Sequence, residues 1–411
     1  MILAPTLLLN AGSGAAIARP TFSRDFAGEK TLNNGTGPAI AFTRASNATF
    51  FDANGTLQTA TNDTPRFDHS SGNSLGLLIE EARTNLLTNS KTFSGFSGGG
   101  WTSVTDDHSV SPDGTTTASL FAWSTIADSY KLGSTTITSV AGATYTSTAF
   151  IKPVSGTGVM GVRVGRNDGS QYVESRLNLG TNANTSFTIG ADVSGVSVSA
   201  QSVGNGWYRL SATGTFANSY ANFGAQLVAV SGSGSFLVWG AQLEAGTFPT
   251  SYIPTTTAAA TRAADSAVVT PISSFYNQSE GTLFAEYRTG AGTPVAGAMV
   301  IDDGTNDNRV ALFLGASQIA IAATYTTVGG IAAVANTIFK SVLGYRANDH
   351  AASVNGAAVA TNTAVGVPSG LTTLGIGAEA GGTYAQPCGH IRRIAYFPKR
   401  LSNTLLQSLT T

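Results

Sequence analysis

Four tryptophans stand in the chain, Trp101, Trp123, Trp207 and Trp239, all between residues 91 and 253. An indole can carry the apolar face of a sugar ring while neighbouring Asn, Gln, Asp and Arg bond the ring hydroxyls, so these are the first candidates for a saccharide site. Strand alternation sorts them. Trp207 shares a face with Arg209, Ser211 and Thr213, which predicts exposure and joins Trp207 to Arg209 as a candidate binding surface. Trp239 alternates with Leu237, Ala241 and Leu243 and is expected in a core. Trp101 and Trp123 flank a loop-rich region, where alternation assigns them no face.

A second chemistry is suggested by the turn from Ile301 to Arg309, which gathers Asp302, Asp303, Asn306, Asp307 and Asn308. Oxygen ligands of this kind could hold Ca²⁺, with Asp302, Asp303 and Asp307 as the candidate ligands. The spacing lacks the distant Glu of a calcium loop, and a plain hairpin turn has the same Asx and Gly content. The four histidines, His69, His108, His350 and His390, are dispersed without a ligand-spaced pair. Cys388 is the only cysteine, so neither an intrachain disulfide nor a cysteine metal cage can form.

Catalytic cleavage of a glycan needs two carboxylates across the sugar, one with a raised pKa. Glu174 and Glu286 lie in strand patterns without an evident partner at i+2. The adjacent pairs Glu80-Glu81 and Asp106-Asp107 must face opposite ways on a strand. No nucleophile elbow or phosphate-cradling loop occurs in a strand-to-helix setting. Neither enzymatic activity nor a cofactor is expected.

The elements that position these residues read as β throughout. A chain of 411 residues exceeds one ordinary core, so two or three domains are expected. Charged residues make up 11% of it, against roughly 25% in ordinary proteins, which suits short strands and turns better than long solvated helices. The formal net charge of −1 and scattered basic residues predict no nucleic-acid partner. No apolar run reaches the length of a membrane span, so no membrane partner is expected. The opening MILAPTLLLNAGSGAAIA has no basic residue before Arg19 and is interrupted by Pro5, and it reads as an ordered segment.

Period-two alternation recurs from 91 to about 253. Tyr208, Leu210, Ala212 and Phe216 oppose Arg209, Ser211, Thr213 and Thr215; Met160, Val162 and Val164 oppose Arg163; Tyr145, Ser147, Ala149 and Ile151 oppose Thr146, Thr148, Phe150 and Lys152. One apolar face per strand predicts an antiparallel sandwich or jelly roll with its other face wet. The closing strand FLVWGAQLEA gives way to Gly246, Pro249 and Pro254, and 254–271 reads as a linker. Alternation resumes from about 272 in TLFAEYR, RVALFL, SQIAIAA and SVLGYR, with a hairpin turn at Asn355-Gly356. Ser402 is a plausible N-cap for a closing helix carrying Leu405, Leu406 and Leu409. In the first 90 residues, Asp52 to Gly55 forms a further turn signal, and Gly76 to Ser90 contains a strand at Leu77 to Ile79 with the remainder open between helix and extended crossing. The expected fold is all-β: tandem antiparallel sandwich or jelly-roll domains at 91–253 and 272–411 behind an extended segment, 1–90.

Three stretches together resemble bacteriophage virion proteins. FTRASNATFFDANGTLQTA with PRFDH and GLLIEEARTNLL is similar to a leader of phage head- and tail-fibre proteins. NGWYRLSATGTF with VWGAQLEAGTFPTSYIPT resembles the phage head spike fibre domain, a carbohydrate-binding-module-like jelly roll. VNG with GHIRRIAYFPKRLSNTLLQSLT is similar to concanavalin A-like or laminin G-like sandwiches. The resemblance implies a virion surface protein, a head or tail fibre, spike or decoration, whose 1–90 segment serves attachment or oligomerisation. It implies partners in further copies of itself, as a trimer, in capsid or tail proteins, and in host-surface polysaccharide. Two alternatives are distinguishable: a tailspike-type depolymerase would release new reducing ends, and a ligand-free capsid or tail decoration would bury the Trp207 face against a neighbouring subunit.

Overall fold

Leu210, Ala212 and Phe216 of the strand Trp207–Phe216 are buried together, as alternation requires, and they meet Met160, Val162 and Val164 of Val159–Arg166 from an opposing sheet. The computed structural model describes residues 19–70, 72–93, 101–124, 127–290, 297–313, 316–330, 334, 336–377 and 389–411; the opening segment to residue 18 and Cys388 lie outside them. Among the described residues the middle sandwich has two sheets. One is six-stranded, in the order Val193–Gly204, Trp207–Phe216, Thr144–Gly156, Gly234–Ala245, Thr116–Trp123, Trp101–Val110. The other is five-stranded, in the order Ala127–Ile137, Phe223–Ser231, Val159–Arg166, Tyr172–Asn178, Asn184–Ile189. Every pairing in both is antiparallel.

Among the described residues the C-terminal sandwich packs a nine-stranded sheet on a seven-stranded one. Leu283, Ala285 and Tyr287 of Glu280–Thr289 share its core with Met299 and Ile301 of Gly297–Asp302. Asn355 and Gly356 both take positive φ, 48° and 74°, in the turn joining His350–Val354 to Ala360–Asn362. The helix Asn403–Thr410 is capped by the Ser402 hydroxyl, which accepts from the Leu405 amide at 3.4 Å. Its Leu406 and Leu409 pack on the outer face of the nine-stranded sheet, against Phe284, Val342 and Phe397. The all-β reading thus describes the molecule.

Two expectations change. Residues 22–79 are not set apart from the C-terminal sandwich. Phe22–Asp25 and Asn73–Ile79 both pair with Gly389–Phe397, and Ala41–Thr43 pairs with Ser266–Val269. Phe22, Phe26, Leu77 and Ile79 lie in the same core as Leu283 and Ile391. The stretch read as a linker, 254–271, likewise supplies Ala260–Arg262 and Ser266–Val269. A four-residue strand needs only two inward side chains, here Ala267 and Val269, so an apolar face of ordinary length is absent from the sequence although the backbone is fully paired.

The second change lies in Gly234–Ala245. Phe236 and Val238 face the sandwich core, while Leu237 and Trp239 face outward into a separate cluster with Leu57, Ala118, Phe150, Val203, Trp207 and Tyr252. Beyond Gly240, at φ +61°, the phase reverses and Ala241 and Leu243 point into the core. A register shift against Thr144–Gly156 marks a β-bulge at this point. Trp239 is therefore buried, as expected, but on the face opposite to Ala241 and Leu243.

That outer face is covered by foreign segments. Trp239 donates from Nε1 to the Thr117 hydroxyl at 3.0 Å and packs on Tyr252 at a ring separation of 4.8 Å. The bulge turns Gln242 and Glu244 outward, where Gln242 accepts from the Ile253 amide at 2.6 Å and Glu244 accepts from the Thr250 amide at 3.1 Å. These two residues explain why GAQLEAG precedes FPTSYIP: the first stretch carries the acceptors that strap the second to the sheet. Buried Asn85 completes the strap, donating to the carbonyls of Ala241 and Ile253 at 3.2 and 2.9 Å.

Beneath the strap lies a sealed charge cluster. Arg66 spans Glu80 at 2.7 Å and Asp265 at 2.6 Å, Arg44 meets Asp265 at 3.1 Å, and Arg262 lies 3.5 Å from Glu80. Ser251 adds its amide and hydroxyl to Glu80 at 2.7 and 2.6 Å. Burial raises the Glu80 carboxyl, yet the Arg262 and Arg66 charges and the Ser251 bonds outweigh it and hold the group well below the usual carboxylate range. The cluster joins residues from FTRASN, PRFDH, LLIEEART and ATRAADS, which sequence order scatters over the 1–90 segment and the expected linker.

Candidate functional site: a cleft between the two sandwiches

The outer face of the six-stranded sheet is incompletely covered. Where Ser199 to Gln201, Arg209 and Ser211 emerge beyond the strap, they form one wall of a cleft of about 390 Å³. The facing wall comes from the hairpin Thr49 to Leu57, from Asp68, His69 and Ser70, and from Arg288 and His390 of the nine-stranded sheet. Its volume falls within the range of small-ligand sites, and it mixes apolar floor with convergent polar groups.

Local irregularity positions the polar groups. The hairpin Ala48–Phe51 to Leu57–Ala60 turns at Asp52, whose Oδ1 accepts from the amides of Asn54 and Thr56 at 2.9 and 3.0 Å, with Gly55 at φ +75°. In Phe67–Ser70 a register shift falls between Asp68 and His69, so neighbours that regular alternation would separate both line the cleft. Asp68 accepts from the Phe51 amide at 2.7 Å and from His390 Nε2 at 2.9 Å, a bond between residues 322 positions apart. His69 donates from Nδ1 to the Phe51 carbonyl at 3.2 Å. Arg288 stands opposite His390 in the ladder between Glu280–Thr289 and Gly389–Phe397. Burial lowers the Arg288 pKa from the ordinary arginine value, with the nearby Asp68 charge opposing the shift. On the other wall, Arg209 donates to the Thr148 hydroxyl at 3.1 Å and lies 5.4 Å over the Phe150 ring.

Of the tryptophan candidates none lines this cleft. Trp207 is only 3% exposed and packs with Leu57 and Val203, because the N-terminal hairpin covers the face that alternation left open. Trp101 and Trp123 belong to the inner core, where Trp101 meets Phe121 edge-on at 5.3 Å and Trp123 meets Phe236 at 5.6 Å. Arg209 is the one sequence candidate that the cleft contains.

Asp302, Asp303 and Asp307 behave as turn residues. Buried Asp302 accepts from the Gly304 amide at 2.9 Å, and Asp303 accepts from the Thr305 amide and hydroxyl at 2.9 and 2.6 Å and from Asn308 at 2.9 Å. Asp307 is exposed. Among the described residues no group of three His, Cys, Asp or Glu comes together as a metal site. Local side-chain bonds to the turn backbone account for this Asx-rich stretch.

The strand carboxylates weighed for catalysis are clamped. Glu174 takes Arg163 at 2.8 Å and Arg176 at 2.7 Å. Glu286 takes both Arg392 and Arg393, adjacent residues that a bulge brings to one carboxylate, with 2.8 Å bonds from each Nε. Burial raises the Glu286 carboxyl, but these two arginines prevail and leave it below the usual range.

Asp68, His69, Arg288 and His390 were invisible as a group in the sequence. They come from three strands far apart in the chain, the adjacent Asp68 and His69 both reaching the cleft through the register shift between them, and no spacing rule connects the three.

No family model matches the chain, and no curated protein does. Among solved structures it is similar to the CBM40 of Ruminococcus gnavus IT-sialidase bound to alpha2,3 sialyllactose, at 19% identity over 33% of this chain and 84% of that one, with a TM-score of 0.29. It is similar also to domains LG4-5 of the mouse laminin alpha1 chain, at 10% identity over 77% and 95%, TM-score 0.20. The LG1-3 region of the laminin alpha2 chain aligns at 9% identity over 84% of this chain and 67% of that one, TM-score 0.22. At these identities and scores the likeness carries no argument about this chain, and nothing about ligands passes from those proteins to it.

Proposed function

We propose that the chain is a non-enzymatic bacteriophage surface protein, a head or tail fibre, spike or decoration, that works as a homo-oligomer and adheres to host-surface polysaccharide through the cleft between its sandwiches. The observation that carries the adhesion reading is the cleft itself: about 390 Å³, with Asp68, His69, Gln201, Arg209 and Arg288 around half-buried Phe51. Sugar hydroxyls need such alternating donors and acceptors, and the sugar's C–H face needs an apolar floor. The non-enzymatic part is supported by the two arginines on Glu286, which favour its ionised form and oppose its use as a general acid, and by the ion pairs that occupy Glu174. The phage assignment rests on the resemblance of the three sequence stretches. Arg44, Arg66 and Glu80 of its leader meet in one buried cluster, so those stretches form a structural unit.

Glycan-array and capsule-binding measurements on the purified protein test adhesion, and uniform lack of binding would end that reading. Incubation with host polysaccharide should yield no new reducing ends; their appearance would overturn the non-enzymatic assignment. Immunogold labelling should place the protein on the virion head or tail, and the solution mass should be that of a trimer.

A further inference from the structure

We propose that the cleft selects an acidic saccharide, with Arg288 receiving a carboxylate of the sugar and Arg209 supplying the second positive charge. This rests on the adhesion reading and narrows it to a ligand class.

The charged side chains on the walls are Asp68, Glu80, Arg209 and Arg288, and the two acids already have partners. Glu80 is held from behind by Arg66 at 2.7 Å and by Ser251. Asp68 is engaged by His390 and by the Phe51 amide. The Asp68 charge acts on Arg288, with no hydrogen bond or ion pair between the two among the described residues. Arg288, half-buried, has no hydrogen bond or ion pair to its guanidinium among the described residues. Arginines buried elsewhere contrast with it: Arg24 reaches the carbonyls of Leu32 and Ser23 at 2.6 and 2.7 Å, and Arg44 and Arg66 reach carboxylates. A guanidinium in an open cleft with no partner from the fold is available to a ligand, and a planar carboxylate fits its fork with two parallel bonds. Arg209 donates to the Thr148 hydroxyl at 3.1 Å and lies over Phe150. Both arginines therefore bring positive charge to a pocket whose acids, Glu80 and Asp68, already bond to other groups. A carboxylate alone would use little of the volume. Ser199, Gln201 and Ser211 beside Arg209 offer bonds to hydroxyls, and half-buried Phe51 offers an apolar surface, which together fit a sugar acid better than a simple anion.

Titration of the full chain with oligogalacturonate, with a hyaluronan tetrasaccharide, and with the carboxyl-reduced form of each tests the assignment, with dextran sulfate as a polyanion control. At least one carboxylated probe should bind, with affinity falling as salt rises, and its carboxyl-reduced form should bind about tenfold more weakly or worse. Arg288→Ala should lose a similar factor while melting like the parent, and Arg209→Gln should show a smaller loss. Equal binding of native and carboxyl-reduced probes, or binding of neutral glycans only, would overturn the acidic-ligand assignment and leave adhesion standing. Dextran sulfate binding that matches the carboxylated probes and ignores Arg288→Ala would likewise overturn it. Failure of every saccharide, neutral or acidic, would remove adhesion and this assignment together.

Discussion

Two arginine-bearing regions of this molecule share a wall, since Glu80 and Ser251 border both the sealed cluster around Arg66 and the open cleft. In the cluster, Arg66 meets two carboxylates and both acids are fully enclosed. In the cleft, Asp68 bonds to His390, and Arg288 has no bonded partner among the described residues. The same residue type thus serves opposite purposes. Where water is excluded, a charge must find a counter-charge or hydrogen-bond acceptors within the fold, because an uncompensated buried ion is too costly to keep. Where a cleft stays open, water and mobile ions tolerate an unmatched guanidinium, and the mismatch is available to a ligand.

The largest expected effect breaks the sealed side. Arg66→Ala leaves Glu80 and part of Asp265 uncompensated and should cost about 3–5 kcal/mol in urea unfolding; a loss below about 1 kcal/mol would show that the cluster does not lock the two sandwiches. Glu80→Gln should cost about 2 kcal/mol at neutral pH, the scale of charge-assisted hydrogen bonds. It should also flatten the acid limb of stability. The folded Glu80 value lies below that of the unfolded carboxyl, about 4.3. On acidification the unfolded chain therefore takes up the proton first, and this contribution is complete above that pH and shrinks as the pH falls below it. A parent and variant with the same slope below about pH 4 would remove Glu80 from that role.

Gly240→Ala tests the bulge that turns the strap's anchors outward. A Cβ there would sit 2.8 Å from Phe150 Cδ2 at φ +61°, and the strain should cost about 1–2 kcal/mol. A neutral result would mean the bulge relaxes freely. The smallest stability effect belongs to the cleft: Arg288→Ala should change unfolding by no more than about 0.5 kcal/mol. A loss comparable to that of Arg66→Ala would make Arg288 a structural residue and erase the contrast between the two regions.

Alternation in WYRLSATGTF, GVMGVRVGR and YTSTAFIK was legible because the pleat permits only two faces, and the inner face of each strand followed directly from its letters. The turns at Gly55 and Asn355-Gly356 and the Ser402 cap were legible for a similar local reason: each depends on backbone conformations that few residue types favour. Trp207 shows where such reading stops. Its face was identified correctly, yet its exposure depended on whether a third layer lay above it, and that layer comes from Phe51 and Leu57, about 150 positions earlier. In the Gly240 strand a single extra residue reversed the phase, and glycine alone does not announce a bulge.

The sequence by itself determined the all-β class, the strand faces and the tight turns, since these are set by neighbours within a few residues. Only the tertiary structure decided that 22–79 and the strands Ala260–Arg262 and Ser266–Val269 are built into the sandwiches, that Trp239 and Ala241 face opposite ways, and that Arg209, Arg288, Asp68 and His390 border one cleft. Those outcomes depend on pairings between distant strands and on bulges that re-aim single side chains, and neither leaves a periodic signal in the chain.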